Sequence, residues 1–287
     1  MQRLDRLADV RAASRAWRSA GRTIGFVPTM GALHAGHAGL VEQARSECDV
    51  VVASIFVNPL QFGPNEDLAR YPRDLEGDLR TLTAAGADAL FTTTPAEMYP
   101  SGFQTHVVPG ALAEPLCGAS RPGHFRGVAT VVAKLFHLVA PHQAYFGQKD
   151  FQQARLLQRM VVDLDFDLVL RILPTRRESD GLAMSSRNRY LAPSERTAAP
   201  ALHRALQSVQ AAFTAGERRS EALAAVGRAA LATTPAFRLD YLEVRDDETL
   251  ELVPTLGGGA VVAAAAFLGS TRLIDNLLLG SAERRLG

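Results

Sequence analysis

Two histidines, His34 and His37, stand three residues apart with only Ala35 and Gly36 between them. On the opening turn of a helix, imidazoles at that spacing can point the same way. The free backbone N–H groups there favour an anion, and a phosphate suits the place best. Two other readings are open at this point: surface or helix-capping residues, and a zinc pair. Metal-binding HExxH pairs use i, i+4 spacing with an intervening glutamate, which is absent here, so the zinc reading is discounted. Gly36 is informative, because it costs helix stability and is best explained by backbone or ligand passing close by.

Further groups could join that chemistry. Lys149 and Asp150 lie in a loop-like GQKD, and in isolation they read best as a surface ion pair. Gln61 and Gln153 each offer a donor and an acceptor, suited to a small polyol or hydroxy acid, although a lone glutamine is usually just solvated. Ser185, Ser186 and Arg187 fit a helix cap with a solvated charge equally well. Neither GxxxxGK[ST] nor GxGxxG occurs near a strand, and there is no GxSxG elbow, so the familiar phosphate loops and a serine hydrolase have little support. Of the 31 basic residues only Lys134 and Lys149 are lysine, a pattern that reads as a coding bias toward arginine. A lysine is a compact point charge that arginine's planar fork does not replace at some phosphate sites, and Lys149 is in a position to be one of these.

The elements that must hold these residues follow from hydrophobic period. Leu4 to Trp17 has helical spacing, and Ile24 to Val27 reads as a short buried strand closing in a loop. A helix over Val41 to Glu47, a doubly buried strand over Val50 to Phe56, a helix over Leu75 to Ala85 and a strand over Ala87 to Thr92 follow. Asn58 and Pro59 break the second of these strands, and Gly63, Pro64 and Asn65 make a loop. A possible strand at Thr105 to Val108 precedes an apolar helix from about Gly127 to Val139. Gln143 to Phe146 is a strand, a helix runs from GQKD through Met160, and Leu168 to Leu173 is a further strand. Beyond Ala192 two amphipathic helices, Pro193 to Ala215 and Ser220 to Ala232, precede strands at Arg238 to Val244, Ala260 to Phe267 and Thr271 to Ile274, expected to be antiparallel. The first of these helices opens with Ser194 and Thr197 in a Ser-x-x-Thr start. The expected fold class is α/β: a Rossmann-like parallel sheet with helices on both faces over residues 1–176, plus a smaller C-terminal α+β domain over residues 177–287. HAGH, NPLQF, GQKD and DGLAMSSRN each follow a strand's C-terminal end, where open α/β sheets bind ligands, so they should converge on one cleft.

Composition sets the outer bounds. At 287 residues, with 47% hydrophobic and 21% charged residues and a net charge of +1, the chain reads as an ordinary globular protein with no global field for nucleic acid or anionic membrane. Cys48 and Cys117 form no C-x-x-C pair and lie away from the histidines, which argues against a disulfide scaffold and makes the cytoplasm the default location. The Arg-rich N-terminus carries Asp5 and Asp9 and lacks an apolar core, so it fits neither a secretory signal nor a transit peptide. The longest apolar run, Ala260 to Leu268, is too short to span a bilayer.

Taken together, FVPTMGALHAGH, SIFVNPLQF, SRPGHFRGV, FGQKDFQQ and DGLAMSSRN resemble the pantoate–β-alanine ligase family, the pantothenate synthetases. The likeness runs from about residue 23 to the TRLIDN segment. Any one motif is weak, but five in order at a matching length are specific. The family shares HxGH with class I aminoacyl-tRNA synthetases, and MSSR here stands where those enzymes carry KMSKS. The resemblance implies that ATP and (R)-pantoate give pantoyl adenylate and pyrophosphate, and that the amine of β-alanine then releases AMP and pantothenate. A plain nucleotidyltransferase that moves AMP to a phosphorylated acceptor is the alternative.

By the same resemblance His34, His37, Lys149 and Arg187 are the catalytic residues. ATP would meet Met30, Gly31, Ala32, Leu33, His34, Ala35, Gly36 and His37 in a first segment, and Gly147, Gln148, Lys149 and Asp150 in a second. Arg176 would touch adenine through its main chain, and Met184, Ser185, Ser186 and Arg187 would form a loop over the phosphates. His37 is the residue assigned as proton donor, His34 and Lys149 would contact phosphates, and Asp150 the ribose. Gln61, Gln153, Val131 and Val132 would bind pantoate, with Gln61 also near β-alanine. No protein metal ligand is expected. Gly77 interrupts an acidic pair that some members place near magnesium with Asp78, so Mg2+ would be held mainly by ATP's phosphates. A homodimer is implied, with neither nucleic acid nor membrane as partner.

Overall fold

The computed structural model describes residues 1–64 and 66–280, so Asn65, expected in the loop after NPLQF, lies outside the described residues. In chain order the elements are β1 (Gln2–Leu4), α1 (Leu7–Ser19), β2 (Ile24–Thr29), α2 (Ala35–Glu47), β3 (Val50–Ile55), α3 (Leu75–Ala85), β4 (Ala89–Thr92), α4 (Pro95–Met98), α5 (Cys117–Ser120) and α6 (His124–Val139). They continue with β5 (Gln143–Gly147), α7 (Phe151–Asp163), β6 (Val169–Leu173), α8 (Pro193–Ala198), α9 (Ala201–Thr214), α10 (Ser220–Ala232), β7 (Phe237–Asp246), β8 (Ala260–Leu268) and β9 (Thr271–Leu279).

The first six strands form one parallel sheet in the order β1-β4-β3-β2-β5-β6. The chain therefore winds one way from β2 through β3 to β4, then returns to the other side of β2 for β5 and β6. The reversal between β2 and β5 leaves a crevice at their C-terminal ends, the place where such sheets bind ligands. Strand alternation supplies two cores. Ile24, Phe26, Val50 and Val52 pack under α1, α6 and α7, while Val27, Val51, Ala53 and Tyr145 pack against Leu40, Val41 and Ala44 of α2 and Leu82 of α3.

β7, β8 and β9 form a separate antiparallel sheet in that order, covered by α9 and α10 around Leu202, Leu206, Leu223, Val262 and Leu273. It is not independent of the first sheet. Leu116 and Phe151 share a cluster with Leu250, Val261 and Ala263, and Tyr241 and Ile274 pack against the core of the parallel sheet. Among the described residues no helix is long and apolar enough to cross a membrane.

Several local expectations change. The first helix begins at Leu7, because Gln2–Leu4 pairs with β4 as an edge strand too short to show a period. Thr105 to Val108 is not a strand; the Val107 amide bonds the Thr130 hydroxyl at 3.0 Å instead of entering a ladder. The helix expected from Gly127 starts at His124, after Gly123 at φ +82°. The long helix over Pro193 to Ala215 is two, broken before Ala201 at Pro200, which has no N–H to continue it. At the start of α8 it is Glu195 that accepts from the Ala192 amide, at 2.8 Å, rather than a Ser194 cap.

Candidate active site

β2 ends at Thr29 and the chain turns through Gly31, at φ +82°, and Ala32, at φ +52°, before α2 begins. A buried carboxylate holds that turn: Asp78 on α3 accepts from the Ala32 amide at 2.9 Å and the Leu33 amide at 2.6 Å. A Cβ at residue 31 would come within 2.9 Å of the same carboxylate, so glycine there serves both the conformation and the contact.

The histidines cap their own helix. His34 Nδ1 accepts from the Gly36 amide at 3.1 Å, and His37 Nδ1 accepts from the His34 amide at 3.3 Å, a reciprocal capping box built from imidazoles. The expected free amides are thus already bonded, as are those of Gly31, Ala32, Leu33 and His37. With these amides taken up, side chains must supply much of the pull on an anion. Since each Nδ1 accepts, each ring proton sits on Nε2, and the two rings lie with centroids 4.1 Å apart at a tilt of 42°. Burial, reinforced by nearby Lys149, lowers the His34 pKa to about 4; burial and the His34 ring lower that of His37 to about 3. Both are neutral donors at physiological pH. Gly36 is explained locally, since a Cβ there would stand 2.8 Å from the His34 ring.

Around these rings lies a cleft of about 440 Å³ at the ends of β2 and β5. It is lined by Met30, His34, Gly36 and His37 from the first turn, by Gly147, Lys149 and Asp150 from the second, and by Arg176, Met184, Ser185, Ser186 and Arg187 from the third. Gln61, Gln153, Val131 and Val132 complete it. Gly31, Ala32, Leu33, Ala35 and Gln148 do not line it. The first three support the turn, Ala35 gives its carbonyl to Arg176 at 3.1 Å, and Gln148 points to Asn276.

Gln61 owes its position to a close approach. A Cβ on Gly127 of α6 would lie 2.3 Å from the Leu60 carbonyl oxygen, so only glycine lets the Pro59–Gln61 turn seat on that helix. Asn58, almost fully buried, donates to Gly127 O at 3.1 Å and to Gln61 Oε1 at 3.0 Å, which leaves the Gln61 amide nitrogen facing Met30 Sδ at 3.2 Å. His124 donates from Nδ1 to the Gln61 carbonyl at 2.8 Å and accepts from Arg121 at 3.0 Å, and burial followed by Arg121 lowers its pKa to about 4. Arg187 is clamped by both oxygens of Asp67 at 2.9 Å, and Ser186 meets the Tyr71 hydroxyl at 3.3 Å, so the third segment is docked on residues 67–71. Lys149 stands 3.7 Å from Asp150.

Arg121 and His124 of the SRPGHFRGV motif line the cleft, as do Tyr71 and Thr175 outside any motif, and the buried Thr175 hydroxyl has no hydrogen-bond partner among the described residues. No local signal marks Tyr71 or Thr175. From sequence Asn58 shows only as a strand breaker. For Asp78 there was a signal: it falls on the apolar stripe of Leu75, Leu79 and Leu82, where an unpaired carboxylate would be costly. Both of its oxygens are used by amides, and among the described residues no group of three or more His, Cys, Asp or Glu is arranged to hold a metal ion. Lys134 stacks over Phe103 at 4.9 Å and Tyr99 at 5.8 Å, away from the cleft.

A family model described as pantoate-beta-alanine ligase matches residues 2–278. A pantothenate synthetase from Acidobacterium capsulatum is 55% identical over 98% of this chain and 97% of its own length. The crystal structure of pantothenate synthetase from Thermus thermophilus superposes with a TM-score of 0.91 at 50% identity, covering 96% of this chain and 99% of that one. That of the Francisella tularensis pantoate-beta-alanine ligase, complexed with beta-gamma ATP and beta-alanine, has a TM-score of 0.80 at 34% identity over 97% of each chain.

Proposed function

The chain belongs to the pantoate–β-alanine ligase family, and from that premise we propose how its own residues carry out the reaction. The enzyme condenses pantoate with β-alanine at the expense of ATP. A free carboxylate is a poor electrophile, so the pantoate carboxylate attacks the α-phosphorus of ATP, the bond to the β-phosphate oxygen breaks, and pyrophosphate leaves. The β-alanine amine then attacks the activated carbonyl; the C–O bond to AMP breaks, and the amine loses its proton. Full-length relatives that are ligases give no support to AMP transfer onto a phosphorylated acceptor.

One observation carries the assignment of roles: outward Nε2–H donors, Lys149 and Arg187 share a single cleft with Gln61, Gln153 and the Val131–Val132 wall. In this reading His34 and His37 donate to phosphoryl oxygens as charge builds at phosphorus, and Lys149 and Arg187 balance that charge. His37 acts as a neutral hydrogen-bond donor, in keeping with its lowered pKa. The Gln61 and Gln153 amides hold pantoate, whose two methyl groups rest on Val131 and Val132, and Gln61 also meets β-alanine. Asp150 binds ribose, the Arg176 main chain borders adenine, and Met184, Ser185 and Ser186 cover the phosphates. Magnesium would be held mainly by ATP's own phosphates. The C-terminal domain that begins at residue 177, of which residues 281–287 lie outside the described residues, closes over residues 1–176, and the enzyme works as a cytoplasmic homodimer.

Pyrophosphate–ATP exchange with the purified protein and magnesium tests this. Exchange should depend on pantoate, and adding β-alanine should yield AMP with pantothenate. Exchange that ignores pantoate, or that needs a phosphorylated acceptor, would overturn the reading.

A further inference from the structure

β9 lies at the edge of the C-terminal sheet, and two consecutive residues on its opposite faces grip two different segments of the cleft. On one face Asp275, only 3% exposed, accepts from both terminal nitrogens of Arg177, at 2.6 and 2.9 Å. Arg177 also donates to the Gly181 carbonyl at 3.1 Å, so the start of the third segment is fixed to the strand. On the other face Asn276, 2% exposed, donates from Nδ2 to the carbonyls of Gln148 at 3.0 Å and Lys149 at 2.9 Å. Its Oδ1 accepts from the Gln148 side chain at 3.1 Å. Three hydrogen bonds to one buried amide, two of them to the backbone of a single turn, leave that turn little freedom. Gln148 has its explanation here: facing away from the cleft, it supplies the third bond.

We propose that Asn276 is a positioning residue for adenylate formation, which sets the place of the Lys149 ammonium by fixing the two peptide groups on either side of the Lys149 Cα. The C-terminal sheet thus acts on the reaction without touching substrate. The proposal rests on the reading of Lys149 as a phosphate contact. The physical reason for a large effect is geometric, since a misplacement of about 1 Å at a reacting centre can cost on the order of 100-fold in rate.

Asn276→Asp is the sharpest variant. It keeps the size and the acceptor for Gln148 but replaces two N–H donors with a carboxylate oxygen facing two carbonyls. Pantoate-dependent pyrophosphate exchange should fall about 10- to 100-fold, the cost of a displaced charge. Aminolysis of supplied pantoyl adenylate by β-alanine should lose far less, because pyrophosphate has left and bond making has moved from the phosphorus to the carbonyl carbon. A purely structural role would slow both half-reactions together, and that result overturns the proposal. So does a wild-type exchange rate. The pair Lys149→Ala and Asn276→Ala adds a second check, because the double variant should be no slower in exchange than Lys149→Ala alone, and multiplicative losses reject the coupling. A wild-type rate for Lys149→Ala overturns the role of the lysine itself, whereas a slow Lys149→Ala beside a fast Asn276→Asp overturns the proposal alone. If Asn276→Asp fails to fold, Gln148→Ala decides. It removes one of the three bonds and should slow exchange measurably while sparing aminolysis; an unchanged rate rejects the proposal.

Discussion

At His34 and His37 each Nδ1 is taken up by a backbone N–H, which leaves each ring one outward donor. Burial suits that arrangement, because a neutral imidazole costs far less to desolvate than its cation. The consequence for pH is specific. A histidine whose folded pKa lies below its unfolded value adds stability above about pH 6.5, and that stability is lost as pH falls toward about 4 for His34 and about 3 for His37. The melting temperature should therefore drop progressively on acidification below 6.5. Adenylate formation, measured as kcat/KM, should show no inflection near 6.5. An inflection there that disappears in His37→Asn would reject the neutral-donor role. The spacing of the pair was legible in the sequence. Which nitrogen carries the proton was not, since that depends on backbone amides brought close only once the turn is formed.

At the scale of elements, hydrophobic period located most helices and strands, because the alternation that buries two faces of a sheet is written locally. It failed where a partner distant in sequence decides. The three residues of β1 become a strand only through β4, and Val107 is drawn out of strand geometry by Thr130 on α6. Gly127 is a test of such a contact. Helix propensity alone would have Gly127→Ala stabilise α6 by up to about 1 kcal/mol. The added Cβ, however, would meet the Leu60 carbonyl at 2.3 Å and the Gln61 amide at 2.7 Å, both rigid backbone. The substitution should instead destabilise the protein by about 1–3 kcal/mol, the usual cost of overpacking, and raise KM for pantoate as the Gln61 turn is pushed away. Thermal melting and steady-state kinetics would check both; a higher melting temperature with unchanged KM would refute the argument.

For the whole molecule, the two sheets share buried apolar surface around Phe151 and Val261 and are cross-linked by polar pairs such as Gln148 with Asn276. Calorimetry should accordingly show a single unfolding transition at neutral pH, and two resolved transitions would mean that the sheets unfold separately. The sequence by itself determined the α/β class, the small antiparallel sheet and the order of motifs at strand ends, because period, glycine and proline act over a few residues. It also determined the candidate residues, through the joint occurrence of motifs that are weak singly. Only the tertiary structure decided that Asp78 is spent on the Ala32 and Leu33 amides, that Arg187 is clamped by Asp67, and that Asn276 reaches back to the turn carrying Lys149. Each of these joins residues far apart in the chain, and a hydrogen bond at about 3 Å leaves no periodic trace in the sequence that makes it.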